Sequence, residues 1–265
     1  MISDKIKEIV EQRKNSIEKD MTFMESMKGK SFRDNRKSLS ESIKDDSKPS
    51  IISEIKLASP TLGEIRKPFN LKSIIMEMES SGVVGLSVLT EPNYFNGSYE
   101  NLKLAVRNTE LPCLMKDFVV DPVQFKIAAQ IGATNILLIN SICNIKEMYR
   151  LAINHRLEPL IEIHEMEELN DIRNLFEIGF EPNLIGVNNR NLKTLKIDLK
   201  TSKEIVPRLK EEFGEKIQVI SESGINSYAD IKSIIPYGVD AFLIGSSIMQ
   251  SKNVNKKILE LRGID

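Results

Sequence analysis

From Ser50 onward the chain repeats one pattern eight times: a short apolar run, then an amphipathic helical stretch. The runs fall at 51–56, 85–89, 112–116, 134–139, 157–163, 183–188, 217–221 and 240–244. The helical stretches lie near 70–81, 98–108, 121–131, 144–154, 165–177, 198–212, 227–235 and 252–262. Near-continuous apolar runs of this length are strands buried on both faces. Their alternation with helices requires a parallel sheet, since each strand must return through a crossover. Eight such units in about 215 residues close into a (β/α)8 TIM barrel. An open, doubly wound sheet is the alternative. It would carry a glycine-rich dinucleotide turn after its first strand, and Leu57–Gly63 has none. The expected α/β fold is therefore one barrel over residues 50–265, with a helical N-terminal extension over 1–49.

The extension has its own signals. Ile6, Ile9, Val10 and Ile17 predict a helix over 3–19. Thr22 and Glu25 have capping-box spacing, which predicts a second short helix carrying Met24 and Met27. Lys28–Lys37 reads as a basic loop, Ser38–Glu41 as another capping box, and Asp45–Pro49 as a polar linker. The apolar residues of this extension are expected to cover one end of the barrel.

Composition narrows the function. A net charge of −1 argues against nucleic-acid or membrane-surface binding, both of which draw on a basic excess. Two cysteines without metal-type spacing suit a reducing cytoplasm. With two histidines a His-rich metal site is ruled out, and no metal or cofactor is expected. No apolar segment is long enough to span a membrane, and the mixed-charge N-terminus lacks the pattern of a signal peptide.

Barrels of this kind place their active site at the C-terminal ends of the strands. The first strand carries Glu54 and Lys56, two apart and so on one face with Ile52, while Ile51, Ile55 and Leu57 face the other way. Lys116 ends the third run and Glu162 interrupts the fifth. One such charge reads equally well as a solvated strand exit; several on one rim read as a site for proton transfer. A lysine in an apolar pocket or beside another cation is expected to have a depressed pKa, with a nearby glutamate as proton acceptor. His164 is expected to point away from the barrel axis or to cap the following helix, and Cys113 to pack in the core. Phe95, beside Gly97 in a loop, reads either as loop core or, at a pocket mouth, as an aromatic able to stack on a ring. Ser223-Gly224 and Gly245-Ser246-Ser247 each precede a helix, an arrangement suited to an anion such as phosphate.

At these residues the chain resembles the indole-3-glycerol-phosphate synthase family. The matching segments are Ile52-Ser-Glu-Ile-Lys-Leu-Ala-Ser-Pro60, Leu86-Ser-Val-Leu-Thr-Glu-Pro-Asn-Tyr-Phe-Asn-Gly-Ser98, Leu114-Met-Lys-Asp-Phe118, Leu160-Ile-Glu-Ile163, Ile185-Gly-Val-Asn-Asn-Arg-Asn-Leu192, Ser221-Glu-Ser-Gly-Ile225 and Leu243-Ile-Gly-Ser-Ser247. The resemblance implies ring closure of a carboxyphenylamino-deoxyribulose phosphate, with loss of carbon dioxide and water, on the route to tryptophan. It implies a small phosphorylated substrate and no cofactor; no docking partner is read from the sequence. By the same resemblance Lys116 is the general acid of the condensation and Glu162 the acid–base group of later steps. Lys56 holds the substrate carboxylate or shares proton transfer. Glu54 tunes Lys56 or takes the ring proton. Asn188 and Arg190 orient polar groups beside Glu222 and Ser223. Phe95 packs on the aromatic ring, and Ser59, Gly224, Gly245 and Ser246 belong to the phosphate side. The chain departs from some relatives where Ala58 and Leu62 replace basic residues, so phosphate binding is expected to rest more on backbone N–H groups.

Other uses of a phosphate-binding barrel remain open at this point. A phosphosugar isomerase or epimerase needs no partner for a benzoate carboxylate, so Lys56 would be dispensable. A Schiff-base aldolase would use Lys56 or Lys116 as nucleophile. A non-catalytic barrel would tolerate loss of Lys116 and Glu162.

Overall fold

A computed structural model describes residues 2–27, 36–44, 49–66 and 70–264. Eight parallel strands close into a barrel: β1 (Ser50–Ile55), β2 (Gly85–Leu89), β3 (Cys113–Lys116), β4 (Asn135–Ile139), β5 (Glu158–Ile163), β6 (Leu184–Asn188), β7 (Gln218–Glu222) and β8 (Ala241–Ile244). Each pairs with its neighbours in sequence, and β1 seals the cylinder by pairing with β8, Ile52 opposite Leu243. A short antiparallel hairpin, Ala58–Ser59 with Gly63–Glu64, follows β1.

The two-residue period of each strand sorts its side chains. Ile52, Leu114, Leu137, Leu160, Leu184, Ile220 and Leu243 fill the barrel interior. Their neighbours Ile51, Met115, Ile161, Ile185, Val219 and Phe242 face the surrounding helices in the larger core. Continuing the inward parity toward the C-terminal ends reaches Glu54, Lys116, Glu162, Asn188, Glu222 and Gly245 in turn. One alternation therefore gives the barrel both its packed floor and its polar mouth.

The extension forms α1 (Asp4–Asn15), α2 (Ile17–Ser26) and α3 (Leu39–Lys44). The helix expected over 3–19 breaks at Ser16, whose hydroxyl accepts from Arg13 Nη1 at 2.7 Å and donates to the Arg13 carbonyl at 2.8 Å. Thr22 lies inside α2, its hydroxyl bonded back to the Glu18 carbonyl at 3.0 Å, so its capping-box spacing starts no helix. The Ser38–Glu41 capping box is present, with the Ser38 N–H donating to Glu41 at 2.7 Å. Of the expected loop and linker, residues 28–35 and 45–48 lie outside the described residues.

The extension reaches both ends of the barrel instead of one. At the N-terminal end, Leu39 and Ile43 of α3 join the interior cluster. The Leu39 N–H donates to Asn135 at 3.2 Å, the Ser40 N–H to Glu158 at 3.2 Å, and Gln218 donates to the Ser40 carbonyl at 3.1 Å. These partners open β4, β5 and β7, so α3 is a plug fixed to three strand starts. A Cβ on Gly85 would lie 2.3 Å from Leu39 Cδ2; glycine leaves room for the plug.

At the other end, Arg13 is fully buried. Its Nε donates to Asp117 at 2.9 Å, and its Nη2 reaches Asp20 and the Tyr99 hydroxyl, each at 2.7 Å. Thr90 donates to the same Asp117 at 2.7 Å. Asp117 follows Lys116 directly, so the extension grips the chain beside a mouth residue.

Removing one member of a buried ion network strands its partners, at a cost of about 3–5 kcal/mol. Arg13→Ala should lose that much unfolding free energy in urea titration. Leu39→Ala should lose about 2–5 kcal/mol by emptying the plug.

Candidate active site

Charge is concentrated at the barrel mouth. Lys116 Nζ lies 2.8 Å from Glu222 Oε2, 3.3 Å from Glu162 Oε2 and 4.0 Å from Glu54 Oε2. Lys56 Nζ sits 2.9 Å from Glu54 Oε1. Glu54 thus touches both lysines, through different oxygens. Glu54, Glu162 and Glu222 are all buried, and so much charge away from water contributes little net stability. Such an arrangement is characteristic of sites that move protons.

Glycines make the close approach possible. A Cβ on Gly186 would lie 2.2 Å from Glu222 Oε1, and one on Gly245 would lie 2.3 Å from Glu54 Oε1. The bare backbone at these two strand ends gives the carboxylates their seats. Gly245, expected on the phosphate side, therefore also has a packing reason to be glycine.

The electrostatics correct one expectation. Burial by itself would lower the Lys116 pKa, but Glu222, Glu162 and Glu54 outweigh it and hold the ammonium above the ordinary lysine range. Lys116 is a protonated acid, where the sequence suggested a depressed amine. Burial would raise Glu162, yet Lys116, then His164 and Asn188, hold it below the usual carboxylate range. Burial pushes Glu222 up to about 8, reinforced by the charge of Glu162 and opposed by Lys116. Of the two carboxyls nearest the Lys116 ammonium, Glu162 is thus held ionised and Glu222 protonated.

His164 is also corrected. It stands two residues after Glu162, which gives both the same strand parity, and it faces inward with Nε2 3.0 Å from Glu162 Oε1. Cys113 is buried in the core as expected.

Phe95 is half-buried on the loop after β2, its ring centroid 6.3 Å from that of Phe118. The buried Glu91 carboxylate accepts the N–H groups of Asn93, Tyr94 and Phe95 at 2.9, 2.7 and 3.2 Å and so shapes that loop. Across the mouth, Asn188 accepts the Arg190 N–H at 2.9 Å, and Arg190 is anchored on the Leu195 carbonyl at 3.0 Å. Burial lowers the Arg190 pKa, against the pull of Glu54 and Glu162. Ser59 is buried in the hairpin after β1, where its hydroxyl accepts the Leu62 N–H at 3.1 Å. Ser223 and Gly224 turn away from β7 with φ of 67° and 83°. A Cβ on Gly224 would lie 2.6 Å from Ile197, so glycine answers both conformation and space. Ser246 opens a short helix, Ser246–Met249.

Asn189 lies within the Ile185–Leu192 segment, and the sequence alone gives it no role. It is buried, and its amide donates to Ser221 Oγ at 3.1 Å and to the Glu222 and Ser223 carbonyls, each at 3.0 Å. Its oxygen accepts the Ser202 N–H at 3.0 Å. Asn189 ties the exits of β6 and β7 together and so seats Glu222. The available signal was a second asparagine with the opposite parity to Asn188, hence turned away from the mouth.

The family model described as indole-3-glycerol phosphate synthase matches residues 2–261. The indole-3-glycerol phosphate synthase of Methanocaldococcus jannaschii is 40% identical over 258 residues, covering 95% of this chain and 92% of the relative. That of Nautilia profundicola is 37% identical over 270 residues, covering 99% of each. That of Staphylococcus aureus is 37% identical over 233 residues, covering 86% and 85%. Among solved structures, thiamine phosphate pyrophosphorylase from Pyrococcus furiosus superposes with a TM-score of 0.59 at 17% identity, over 85% of this chain and 96% of that one, a likeness of fold alone.

The raised Glu222 pKa has a consequence for stability. Between 4.5 and about 8 the native state holds a proton at Glu222 that the unfolded chain releases. The native state then binds more protons, so this contribution to stability falls as pH rises through that window. Glu222→Gln, permanently neutral, should flatten the slope. Urea midpoints measured across the window check this.

Proposed function

Because this chain belongs to the indole-3-glycerol phosphate synthase family, we propose how its barrel mouth divides the work of that reaction. The reaction closes the ring of 1-(2-carboxyphenylamino)-1-deoxyribulose 5-phosphate, with loss of carbon dioxide and water, to give indole-3-glycerol phosphate in tryptophan biosynthesis. It is a carboxy-lyase reaction on a phosphorylated small molecule. The observation that carries the assignment of roles is the Lys116 ammonium, held protonated between Glu162 and Glu222 on the inward parity of the barrel.

The aromatic carbon bearing the carboxylate attacks the substrate ketone. Lys116 gives its proton to the ketone oxygen as negative charge develops there. Carbon dioxide then leaves and restores the aromatic ring. Loss of water requires a proton for the departing hydroxyl and a base for the other hydrogen. Glu162, ionised in the resting site, is the group for this later acid–base work. Lys56 holds the substrate carboxylate or shares proton transfer, and Glu54, in contact with both lysines, keeps Lys56 in place; the attacking ring carbon carries the carboxylate and so has no proton to give up. Asn188 and Arg190 orient polar groups of the substrate, with Glu222 and Ser223 nearby. Phe95 packs on the aromatic ring. Ser59, Gly224, Gly245 and Ser246 receive the phosphate, largely through backbone N–H groups.

Residues 1–49 serve as an extension that plugs the floor and braces the mouth, with 50–265 as the catalytic barrel. Among the described residues no helix is long and apolar enough to cross a membrane. With both cysteines free, we place the protein in the cytoplasm.

Lys116→Ala should lower turnover about 100- to 10,000-fold, the range for loss of a general acid. Formation of the indole chromophore from the carboxyphenylamino-deoxyribulose phosphate measures it, with circular dichroism to verify the fold. Near-normal turnover in a folded variant would overturn the role of Lys116. A folded protein that binds the substrate and forms no indole even when unaltered would point to a repurposed barrel.

A further inference from the structure

Two carboxyl groups, Glu162 and Glu222, approach one ammonium at 3.3 and 2.8 Å. Crowded carboxyls in a buried site titrate as a pair, and one of them carries a proton until the other is released. Both meet Lys116 through a single oxygen, and the shorter contact alone would favour charge on Glu222. The opposing asymmetry comes from the exit of β5.

His164 is buried, with 5% of its surface exposed. Its Nε2 lies 3.0 Å from Glu162 Oε1, the oxygen that Lys116 leaves free, and its Nδ1 lies 3.8 Å from Glu168 Oε2. Glu168 is itself fixed: it accepts the N–H groups of His164 and Glu165 and the Asn140 amide. The imidazole therefore sits between two carboxylates. Neither ring nitrogen makes an aligned hydrogen bond. A neutral ring would gain little in this position, whereas an imidazolium gains from both neighbours.

We propose that His164, as an imidazolium, is the positioning residue that assigns the proton within the pair, keeping Glu162 ionised and leaving the proton on Glu222. The proposal rests on the acid–base role given to Glu162 above and supplies its cause. Burial disfavours the charged ring, but Glu162 and then Glu168 and Glu222 raise its proton affinity above the ordinary histidine value. Lys116 meets Glu162 through Oε2, Arg190 interacts with the charge of Glu162, and Glu165, next in the chain to His164, pairs with Lys193 at 2.7 Å. Among these charges only the imidazolium meets the free oxygen of Glu162. With it in place, Lys116 opens the reaction between one basic carboxylate, Glu162, and one neutral carboxylic acid, Glu222.

Removing a cation beside Glu162 raises its proton affinity, so the carboxylate form appears only at higher pH. In His164→Gln and His164→Asn the acid limb of the kcat/KM profile should move up by about one pH unit. An unmoved limb in folded variants would overturn the proposal. The unaltered protein offers a second test that needs no variant to fold. It contains two histidines, so protein labelled with 15N-histidine gives two sets of ring-nitrogen signals, and His155→Gln identifies the set of His164. Both ring nitrogens of His164 should remain protonated at pH 7.5, above the ordinary histidine titration. A neutral ring at pH 7 would refute the proposal. Glu162→Gln, assayed alongside, separates the two readings: activity in that variant would remove the role of Glu162, whereas its inactivity with an unmoved His164 limb would remove only the proposal.

Discussion

The Lys116 ammonium among Glu54, Glu162 and Glu222 is the interaction on which the rest of the structure depends. Buried charge on this scale gains little from its own pairing, because desolvation offsets most of the attraction. Something else must hold the groups together, and here it is the barrel. Each of these glutamates stands two residues beyond an interior apolar side chain: Ile52 before Glu54, Leu160 before Glu162, Ile220 before Glu222. Leu114 stands in the same relation to Lys116. The apolar floor supplies the stability, and the strand period directs the charge.

The N-terminal extension serves the same end from two sides. Leu39 and Ile43 close the floor, where a barrel interior would otherwise meet water. Arg13 binds Asp117, the residue after Lys116, and draws in Asp20, Tyr99 and Thr90. Asn189 performs the corresponding task between β6 and β7. Supporting groups of this kind keep reacting side chains within the small tolerance that proton transfer demands.

Much of this was legible in the sequence because it is periodic. The second strand, expected over 85–89, is observed as Gly85–Leu89, and the fifth, expected over 157–163, as Glu158–Ile163. Strand parity and the rule that barrels react at strand ends brought Glu54, Lys56, Lys116 and Glu162 to one mouth. Long-range partnership was not legible. Nothing local to Arg13 announces Asp117, and nothing near Leu39 announces Asn135. Ser16 looks like an ordinary helix residue until Arg13 turns back on it. The lysine expectation failed for a related reason: an apolar strand was visible, but the number of carboxylates converging on Lys116 depends on three separate strands. His164 is different, since its two-residue spacing from Glu162 stands in the sequence itself.

The central claim is that Lys116, rather than Lys56, delivers the proton to the reacting oxygen. A crystal structure with the alcohol analogue of the substrate, its reacting ketone reduced to a hydroxyl, tests this most directly. The account predicts that this oxygen lies within about 3.2 Å of Lys116 Nζ, with the benzoate carboxylate on Lys56. The hydroxyl on Lys56, with Lys116 still enclosed by Glu162 and Glu222, would contradict it.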